Sequence, residues 1–540
     1  MKKTYRKTLL VILFLFLLNH PKGFSQKANL ILFNGKIFTS DTTRLYVSAI
    51  AINGNKILAT GSNEFIVKYA TPKTKRIDLK GKTVVPGFND AHDHLGWLIP
   101  TGKSFITPFS VPGLSKNAVI DSVSRLVKEA SQGQWIYGTI GLTVFNDTTV
   151  RRRLLDSLSD RNPIMLLIEW GHGMILNSKA LQAINVSNTA HDPLGGWYER
   201  KQGTNLITGV LYEGSQFQAW QALTISEPAK LIKALRAHAM EEIAFGITTV
   251  QNMSSALQGN AARLFFKKAQ LPLKTRIVAM PGSTERGRSL KEWSSKDTIL
   301  SSLTYVSGIK YVIDGTSLEQ NALKTIPYKN REGWYGRLNY PVDTIKQILK
   351  EALNSKRQLM LHVVGDSATK LILQLMRELA TPEIWRTKRV RIEHGVGITS
   401  ATSNDVKDLG IIVVHTPKYG MRNPLQTWIK MGIPIAIGPD ALINPFINIM
   451  MVTTQQTNTM ENLNREQAVI AYTLGSAYAE FKEVSKGSLV PGKVADLAVL
   501  SQDIFTIPAE QLPETHSLLT IINGKIIYQE GEFIMMSKQK

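Results

Sequence analysis

Short apolar runs rich in β-branched residues alternate with stretches of helical character along most of the chain. This alternation predicts parallel strands connected by crossover helices. For a pattern of this length, a (β/α)8 TIM barrel is the most economical arrangement, so the predicted fold class is α/β. The apolar runs lie at residues 84–85, 164–168, 248–250, 275–278, 309–313, 358–364, 390–393, 411–415 and 433–437.

The two ends of the chain carry matching strand-and-turn patterns. The tetrapeptide Asn-Gly-Lys-Ile occurs at residues 34–37 and again at residues 523–526, each time beside apolar runs. Asn-Gly between apolar runs is typical of a tight hairpin turn. Two similar β segments at opposite ends of one chain predict a composite β-sandwich domain formed by both termini.

The segment between the first and second barrel strands is too long for one strand–helix unit. We therefore expect an inserted subdomain at about residues 110–245. The predicted division is a β-sandwich of residues 27–84 and 485–540 around a barrel of residues 85–484.

The first 26 residues have the pattern of a secretory signal peptide. A basic start precedes an apolar run at residues 9–18. That run is shorter than the roughly 20 residues that span a bilayer. We expect an exported protein, periplasmic or secreted, with no stable membrane span after cleavage. An uncleaved anchor is the alternative.

Composition narrows the class of protein. The 540 residues are 43% hydrophobic and 20% charged, which is typical of an enzyme-sized globular chain. There is no cysteine, so any metal must be held by nitrogen and oxygen ligands. The net charge of +22 is spread along the chain and does not interleave with aromatic residues, so no nucleic-acid partner is expected. The expected partner is a small-molecule substrate, and a homo-oligomer is left open.

His92 and His94 give the strongest chemical signal. Residues two apart at a strand end point to the same side, so both imidazoles can reach one metal ion. Three further apolar runs end in a ligand-type side chain: His362, His394 and Asp440. Strand ends of a barrel meet at its carboxyl rim, where active sites are built. The set therefore predicts a metal centre at that rim.

Six motifs along the chain carry a family resemblance. They are PGF at 86–88 followed by HDH at 92–94, GIKYVIDG at 308–315, HVVGD at 362–366, IEHG at 392–395, GPD at 438–440 and GSLVPGKVADL at 487–497. Together they resemble the metal-dependent amidohydrolase superfamily, in the large-insert branch (amidohydrolase family 3) that includes the N-substituted formamide deformylases. The resemblance covers about residues 29 to 530 and implies a distorted (β/α)8 barrel with a composite β-sandwich.

The resemblance implies roles for the candidate ligands. His92 and His94 would bind one divalent metal, expected to be Zn2+, and His362 and His394 a second. Asp440 would contact the first metal and the attacking water. Lys310 matches the position of a carboxylated lysine that bridges two metals in related enzymes, since an ammonium has no lone pair to offer. The alternatives are an ion pair of Lys310 with Asp314 or a neighbouring acid, Glu213 as the bridging ligand, and a centre with one metal only.

Some residues depart from the family pattern. Asp93 stands where most relatives carry an apolar residue, and its side chain is expected to point away from the metal. The sequence His415-Thr416-Pro417 replaces a Gln-Pro-x-His type pattern, so the substrate contact that the resemblance implies for that loop is not expected to carry over unchanged. His172 lies in a segment similar to a histidine-containing segment of the family and is a candidate catalytic donor; the alternative is a capping or core histidine.

The implied activity is hydrolysis of a non-peptide carbon–nitrogen bond in an amide, formamide, cyclic amide or carbamate. A metal-activated hydroxide would attack, with Asp440 as general base and then acid. The alternatives are ester or lactone hydrolysis at the same site, lyase or isomerase chemistry, and a non-catalytic periplasmic binding protein.

Overall fold

The structure is a computed structural model. It describes residues 27–95, 102–105, 113–285, 287–289, 298–440, 443–454 and 456–531. The signal peptide predicted at residues 1–26 lies outside these residues.

Within these ranges, eight parallel strands form one sheet in which each strand pairs with the next along the chain. The backbone N–H of Asp440, just after the last strand, donates to the carbonyl of His92 in the first strand at 3.1 Å, so the sheet nearly closes on itself. The predicted (β/α)8 barrel is confirmed. Its strands are β1 (Phe88–Asp93), β2 (Ile247–Met253), β3 (Lys274–Ala279), β4 (Thr304–Val312), β5 (Leu359–His362), β6 (Arg391–His394), β7 (Ile412–His415) and β8 (Ile435–Ile437).

Amphipathic helices pack around this sheet. The helix Val342–Asn354 buries Ile345, Ile348, Leu349 and Ala352, which follow the i, i+3, i+4, i+7 spacing of a single helix face. Each such buried side chain contributes about 1.5–3 kcal/mol through removal of apolar surface from water. The other helices around the barrel are Pro228–Ala244, Gly259–Ala269, Asp366–Leu379, Pro382–Lys388, Ser400–Asp408, Leu425–Met431, Pro445–Thr454, Arg465–Ile470, Ala471–Gly475 and Ser476–Tyr478.

Both chain ends contribute to a pair of packed sheets. Leu497–Leu500 pairs antiparallel with Thr83–Pro86 on one side and with Ser517–Ile522 on the other. Apolar side chains of both sheets, including Leu32 and Ile521, share one buried cluster. In the part of the chain that is described, one sheet has the order Lys56–Gly61, Ala49–Asn53, Leu30–Phe33, Lys75–Asp78, and the other Lys525–Gln529, Ser517–Ile522, Leu497–Leu500, Thr83–Pro86, Lys36–Phe38, Tyr46–Val47.

A mixed sheet occupies the chain between β1 and β2. Ile164–Ile168, expected from its apolar run to alternate with the barrel strands, lies in this sheet, and residues 84–85 lie in the sandwich. The strands of this mixed sheet, as far as they are described, run in the order Gly196–Arg200, Ile207–Glu213, Gly173–Leu176, Ile164–Ile168, Ile136–Ile140, Lys103–Phe105. The described helices of the same segment are Lys116–Glu129, Leu142–Asn146, Arg152–Leu158, Ser178–Ala183 and Phe217–Thr224.

The remaining described elements are short. A search of the described helices finds none long and apolar enough to cross a lipid bilayer. The short elements are the hairpin Gly282–Thr284 and Gly287–Ser289, the helix Asn63–Ile66, and the 3-10 helices Val67–Tyr69, Gly214–Gln216, Thr459–Glu461 and Ala509–Glu514.

Candidate metal centre and active site

His92, His94 and Asp440 meet at the carboxyl rim of the barrel. Oδ1 of Asp440 lies 3.2 Å from Nε2 of His94 and 3.7 Å from Nε2 of His92. One potential ligand atom from each of the three residues lies within 4.8 Å of the others. Two imidazoles and a carboxylate at this separation suit a divalent ion of the zinc type.

Two more histidines stand beside this group. Nδ1 of His362, at the end of β5, lies 2.9 Å from Nε2 of His394, at the end of β6. The ring centroids of His92 and His394 are 5.1 Å apart. Nε2 of His362 is buried and has no hydrogen-bond partner among the residues that the structure describes. The four imidazoles predicted to converge do so, and the donor set fits one or two divalent ions.

The remaining ring nitrogens are held by neighbouring side chains. Nδ1 of His92 donates to Glu393 at 2.5 Å, Nδ1 of His94 lies 2.9 Å from the Ser255 hydroxyl, and Nδ1 of His394 lies 2.9 Å from the Thr416 hydroxyl. Such partners orient metal-binding imidazoles and leave the other ring nitrogen free to coordinate. Sequence analysis did not assign these three residues, because each contact joins strands far apart in the chain or depends on a loop conformation.

Glu393 is itself fixed by a buried arginine. Its carboxylate accepts hydrogen bonds from Nε and Nη2 of Arg391 at 2.9 and 3.0 Å, and both side chains are fully buried. Burial opposes the ionisation of Glu393, but Arg391 and His92 outweigh it and hold the pKa of this carboxyl well below its usual range. Glu393 is therefore ionised, and it accepts a hydrogen bond from the Nδ1–H group of His92.

Lys310 lies at the centre of the group. Its Nζ donates to Nε2 of His92 at 2.9 Å. Burial lowers the pKa of Lys310 to about 8, so about a tenth of this amine is neutral at pH 7. The alternative ion pair with Asp314 is not observed, because Asp314 instead accepts the backbone N–H groups of Leu323, Val364 and Gly365 at 2.8–3.0 Å.

The imidazoles of His92, His362 and His394 are predominantly neutral at pH 7. Burial lowers the pKa of His92 to about 4 and that of His394 to about 3. A neutral imidazole is the form that binds a metal. Burial of Asp440 would raise its pKa, but the neighbouring His92 and His94 outweigh burial and hold it well below its usual range.

His172 and Glu213 reach the same place from the inserted sheet. The two side chains are 3.0 Å apart, and the His172 ring centroid lies 4.8 Å from that of His362. Burial would lower the pKa of His172, but Glu213 and then Glu319 raise it to about 9. At neutral pH His172 is thus a cationic hydrogen-bond donor directed at the centre, and Glu213 is its counter-ion.

The backbone is strained at three of these positions. Glu213, His394 and Asp440 have φ values of 54°, 70° and 56°. Non-glycine residues seldom adopt this left-handed region, and when they do they cluster at functional sites.

A small cavity opens in front of the centre. It has a volume of about 290 Å3, close to the lower end for small-molecule pockets. A larger cavity of about 1130 Å3, around Arg276 and Lys486, contains none of the candidate ligands, so the smaller one is the substrate candidate. The smaller cavity is lined by Trp170, Leu318, Val364, Val396, Lys418 and Tyr419 beside His172, His362, His394 and Asp440.

The two sequence departures have structural explanations. Asp93 does not join the group around Asp440 but lies with His238 and Glu242. His415 lies at the end of β7, where Nδ1 is 3.1 Å from the Asn423 side-chain nitrogen. Thr416, the residue after it, orients His394.

Comparison with known proteins agrees with this geometry. Residues 75–528 match the amidohydrolase family. The chain is 26% identical to Protein LONG AFTER FAR-RED 3 of Arabidopsis thaliana, over 93% of this chain and 92% of that protein. It is 22% identical to the N-substituted formamide deformylase of Arthrobacter pascens, over 94% of this chain and 99% of that enzyme.

Solved structures show the same fold. An uncharacterized metal-dependent hydrolase from Pyrococcus horikoshii OT3 has a TM-score of 0.67 at 20% identity, covering 89% of this chain and 99% of that one. The family match spans most of the chain, and side chains from four of the motifs converge at one rim: His92, His94, His362, His394 and Asp440. The chain therefore belongs to the amidohydrolase family and is a hydrolase of carbon–nitrogen bonds other than peptide bonds.

Proposed function

We propose that the protein hydrolyses a small N-acyl or N-formyl compound, a cyclic amide or a carbamate, at a centre that holds one or two Zn2+ ions. His92, His94 and Asp440 would hold the first ion, and His362 and His394 the second. The convergence of ligand atoms from His92, His94 and Asp440 within 4.8 Å is the observation that carries the proposal. The formamide deformylase that is similar over nearly the whole chain supports the choice of substrate class.

A bound divalent ion would acidify water and polarise the scissile carbonyl. Asp440 is a carboxylate at neutral pH, so it can accept a proton from the attacking water and return it to the leaving nitrogen. His172, a cationic donor at neutral pH, can donate a hydrogen bond to the carbonyl oxygen as negative charge develops there.

Lys310 supports a two-ion centre. A carboxylated lysine forms when the neutral amine attacks CO2, and the lowered pKa of Lys310 favours that neutral form. The product would be an anionic oxygen donor on a side chain whose nitrogen lies 2.9 Å from Nε2 of His92. Glu213 is less suited to bridge, since its carboxylate is paired with His172.

The pocket supports a small substrate with an apolar substituent. Trp170, Leu318, Val364 and Val396 supply apolar surface, while Lys418 adds a cationic group at the same wall. A volume of about 290 Å3 admits a compact molecule in contact with Asp440.

The test compares Asp440→Asn with Asp343→Asn, a matched exposed control on the helix Val342–Asn354. Metal content and hydrolysis of N-formyl, N-acyl, carbamate and ester compounds are measured with and without chelator. We expect chelator to abolish C–N hydrolysis, and D440N to lower kcat by about 100-fold or more while D343N does not. Unchanged turnover in D440N with metal bound, or product without oxygen from water, would overturn the proposal.

We further propose that the protein is exported. The basic start and apolar run of residues 1–26 support this. Cell fractionation and N-terminal sequencing of the mature protein test it, and a cytoplasmic protein that starts at Met1 would contradict it.

A further inference from the structure

A second group of ligand-type side chains lies on the opposite face of β1 from His92 and His94. Asp93, between the two histidines, pairs in register with Asn252 of β2. Gln251 and Met253, on either side of Asn252, contact the barrel interior. Side chains alternate along a strand, so Asn252 and Asp93 both point outward, towards the surrounding helices.

The helix Pro228–Ala244 brings two more ligands to this point. His238 and Glu242 are four residues apart and therefore share one helix face. Nε2 of His238 lies 3.4 Å from Oε1 of Glu242. One ligand atom each from Asp93, His238 and Glu242 lies within 4.8 Å of the others.

Several polar atoms at this place are buried and unsatisfied. Oδ2 of Asp93, Oε2 of Glu242 and both polar atoms of the Asn252 amide have no hydrogen-bond partner in the described ranges. These residues are 6%, 1% and 0% exposed. A buried polar group without a partner costs about 1–3 kcal/mol, and more if it is charged. Asn252 lies on β2, whereas Asp93 lies on β1 and the other two residues on the helix Pro228–Ala244. Its unsatisfied amide is therefore a separate observation that also indicates a bound ligand at this place.

The group contains more carboxyl groups than imidazoles. Asp90, on the same strand, is also buried and interacts electrostatically with Asp93 and Glu242, so three buried carboxyl groups share this region. Burial raises the pKa of Glu242 to about 7, which reflects the cost of ionising it there. A cation bound between these oxygens removes that cost.

We propose that Asp93, His238 and Glu242 form a separate divalent-metal site, with the side-chain oxygen of Asn252 as a further donor. One imidazole nitrogen with carboxylate and amide oxygens suits Zn2+ or Mn2+. The His238 side chain is 25% exposed and gives the ion a path from solvent. An ion here joins β1 to the helix Pro228–Ala244 directly behind His92 and His94, so its role is to hold that strand in place.

The test counts metal ions per chain in the full-length protein. Chelator-stripped protein is reloaded with Zn2+ alone, passed through a desalting column and analysed for zinc. Matched variants are His238→Gln and Glu242→Gln, with Glu241→Gln as control, since Glu241 is exposed on the same helix turn. We expect H238Q and E242Q each to retain one zinc equivalent fewer than the wild type, and E241Q to retain the wild-type number.

A variant that lacks the active centre separates this site from the proposed function. In a variant with His92→Asn and His94→Asn, the further change His238→Gln should still lower the zinc content by one equivalent, and a zinc-edge anomalous peak should lie between Asp93, His238 and Glu242 in wild-type crystals. Wild-type zinc content in both H238Q and E242Q, or wild-type crystals without that peak, would overturn the proposal. In that case an ion pair of protonated His238 with Glu242, and not a metal ion, would explain why these side chains lie together. Loss of activity in the double variant bears on the proposed function alone.

Discussion

Glu393→Gln tests how the candidate metal centre is held in place. The substitution keeps the size of a fully buried side chain but removes its charge. An amide can still accept from Nδ1 of His92 through its oxygen, yet its NH2 group then faces the Arg391 guanidinium, donor against donor. Loss of a carboxylate that orients a metal-binding histidine typically weakens metal binding by about 10–100-fold, or about 1.4–2.8 kcal/mol.

The fold should also lose stability. Arg391 is fully buried, and removal of its partner's charge leaves it uncompensated at a cost of about 3–5 kcal/mol. The pKa of Glu393 is lower in the folded state than in the unfolded chain. Its contribution is therefore present above the unfolded pKa of about 4.3 and is lost as pH falls through the folded pKa.

Zinc titration of chelator-stripped protein by calorimetry measures the first effect, and urea unfolding measures the second. The control is Glu483→Gln, because Glu483 pairs with Arg389 at 2.8 Å in a partly exposed position. We expect wild-type zinc affinity in E483Q and a stability loss within about 1 kcal/mol. If E393Q binds zinc as tightly as the wild type, the contact between Glu393 and His92 does not tune the metal centre and the reasoning is refuted.

Three further changes have defined outcomes. Gly438→Ala would place a Cβ 2.3 Å from the Cβ of His92. We therefore expect weaker zinc binding and about 1–3 kcal/mol of destabilisation in urea unfolding. Wild-type stability and zinc affinity would show that β1 and β8 can move apart at no cost. Lys310→Met should lower the bound zinc by one equivalent in elemental analysis, and an unchanged count would exclude Lys310 as a bridging ligand. Glu480 lies 2.6 Å from Lys486, which with Arg276 outweighs burial and lowers the pKa of Glu480. Glu480→Gln should therefore cost about 3–5 kcal/mol at pH 7, and the gap from the wild type should shrink below about pH 4.3; a gap that stays constant with pH would contradict the pairing.

The barrel and the ligand histidines were predictable because their signals are local. His92 and His94 are two residues apart on one strand, and His362, His394 and Asp440 each follow an apolar run. A strand end carries its ligand to the rim whatever the rest of the chain does, so the convergence could be inferred from spacing alone.

Other features depend on contacts that spacing does not reveal. The apolar run at residues 164–168 has the same composition as a barrel strand, and only its pairing with Gly173–Leu176 and Ile136–Ile140 assigns it to the inserted sheet. Glu393 stands directly before His394 in the sequence, yet its partner is His92, 301 residues away. Alternation along β6 places Arg391 and Glu393 on one face, and that signal could have indicated a buried ion pair behind the histidines.

Closure of the barrel and assembly of the centre are one structural event. The first and last strands meet where the N–H of Asp440 donates to the carbonyl of His92, and both residues are candidate ligands of the same ion. Asp440 holds a left-handed backbone conformation at that junction, which costs about 1–3 kcal/mol and persists only where surrounding contacts enforce it. A metal bound by His92 and Asp440 would supply such a contact across the seam, since it binds the folded chain and not the unfolded one. The ligands that would carry out the chemistry therefore also hold β8 against β1, and such contacts account for the strained conformation of Asp440 at this seam.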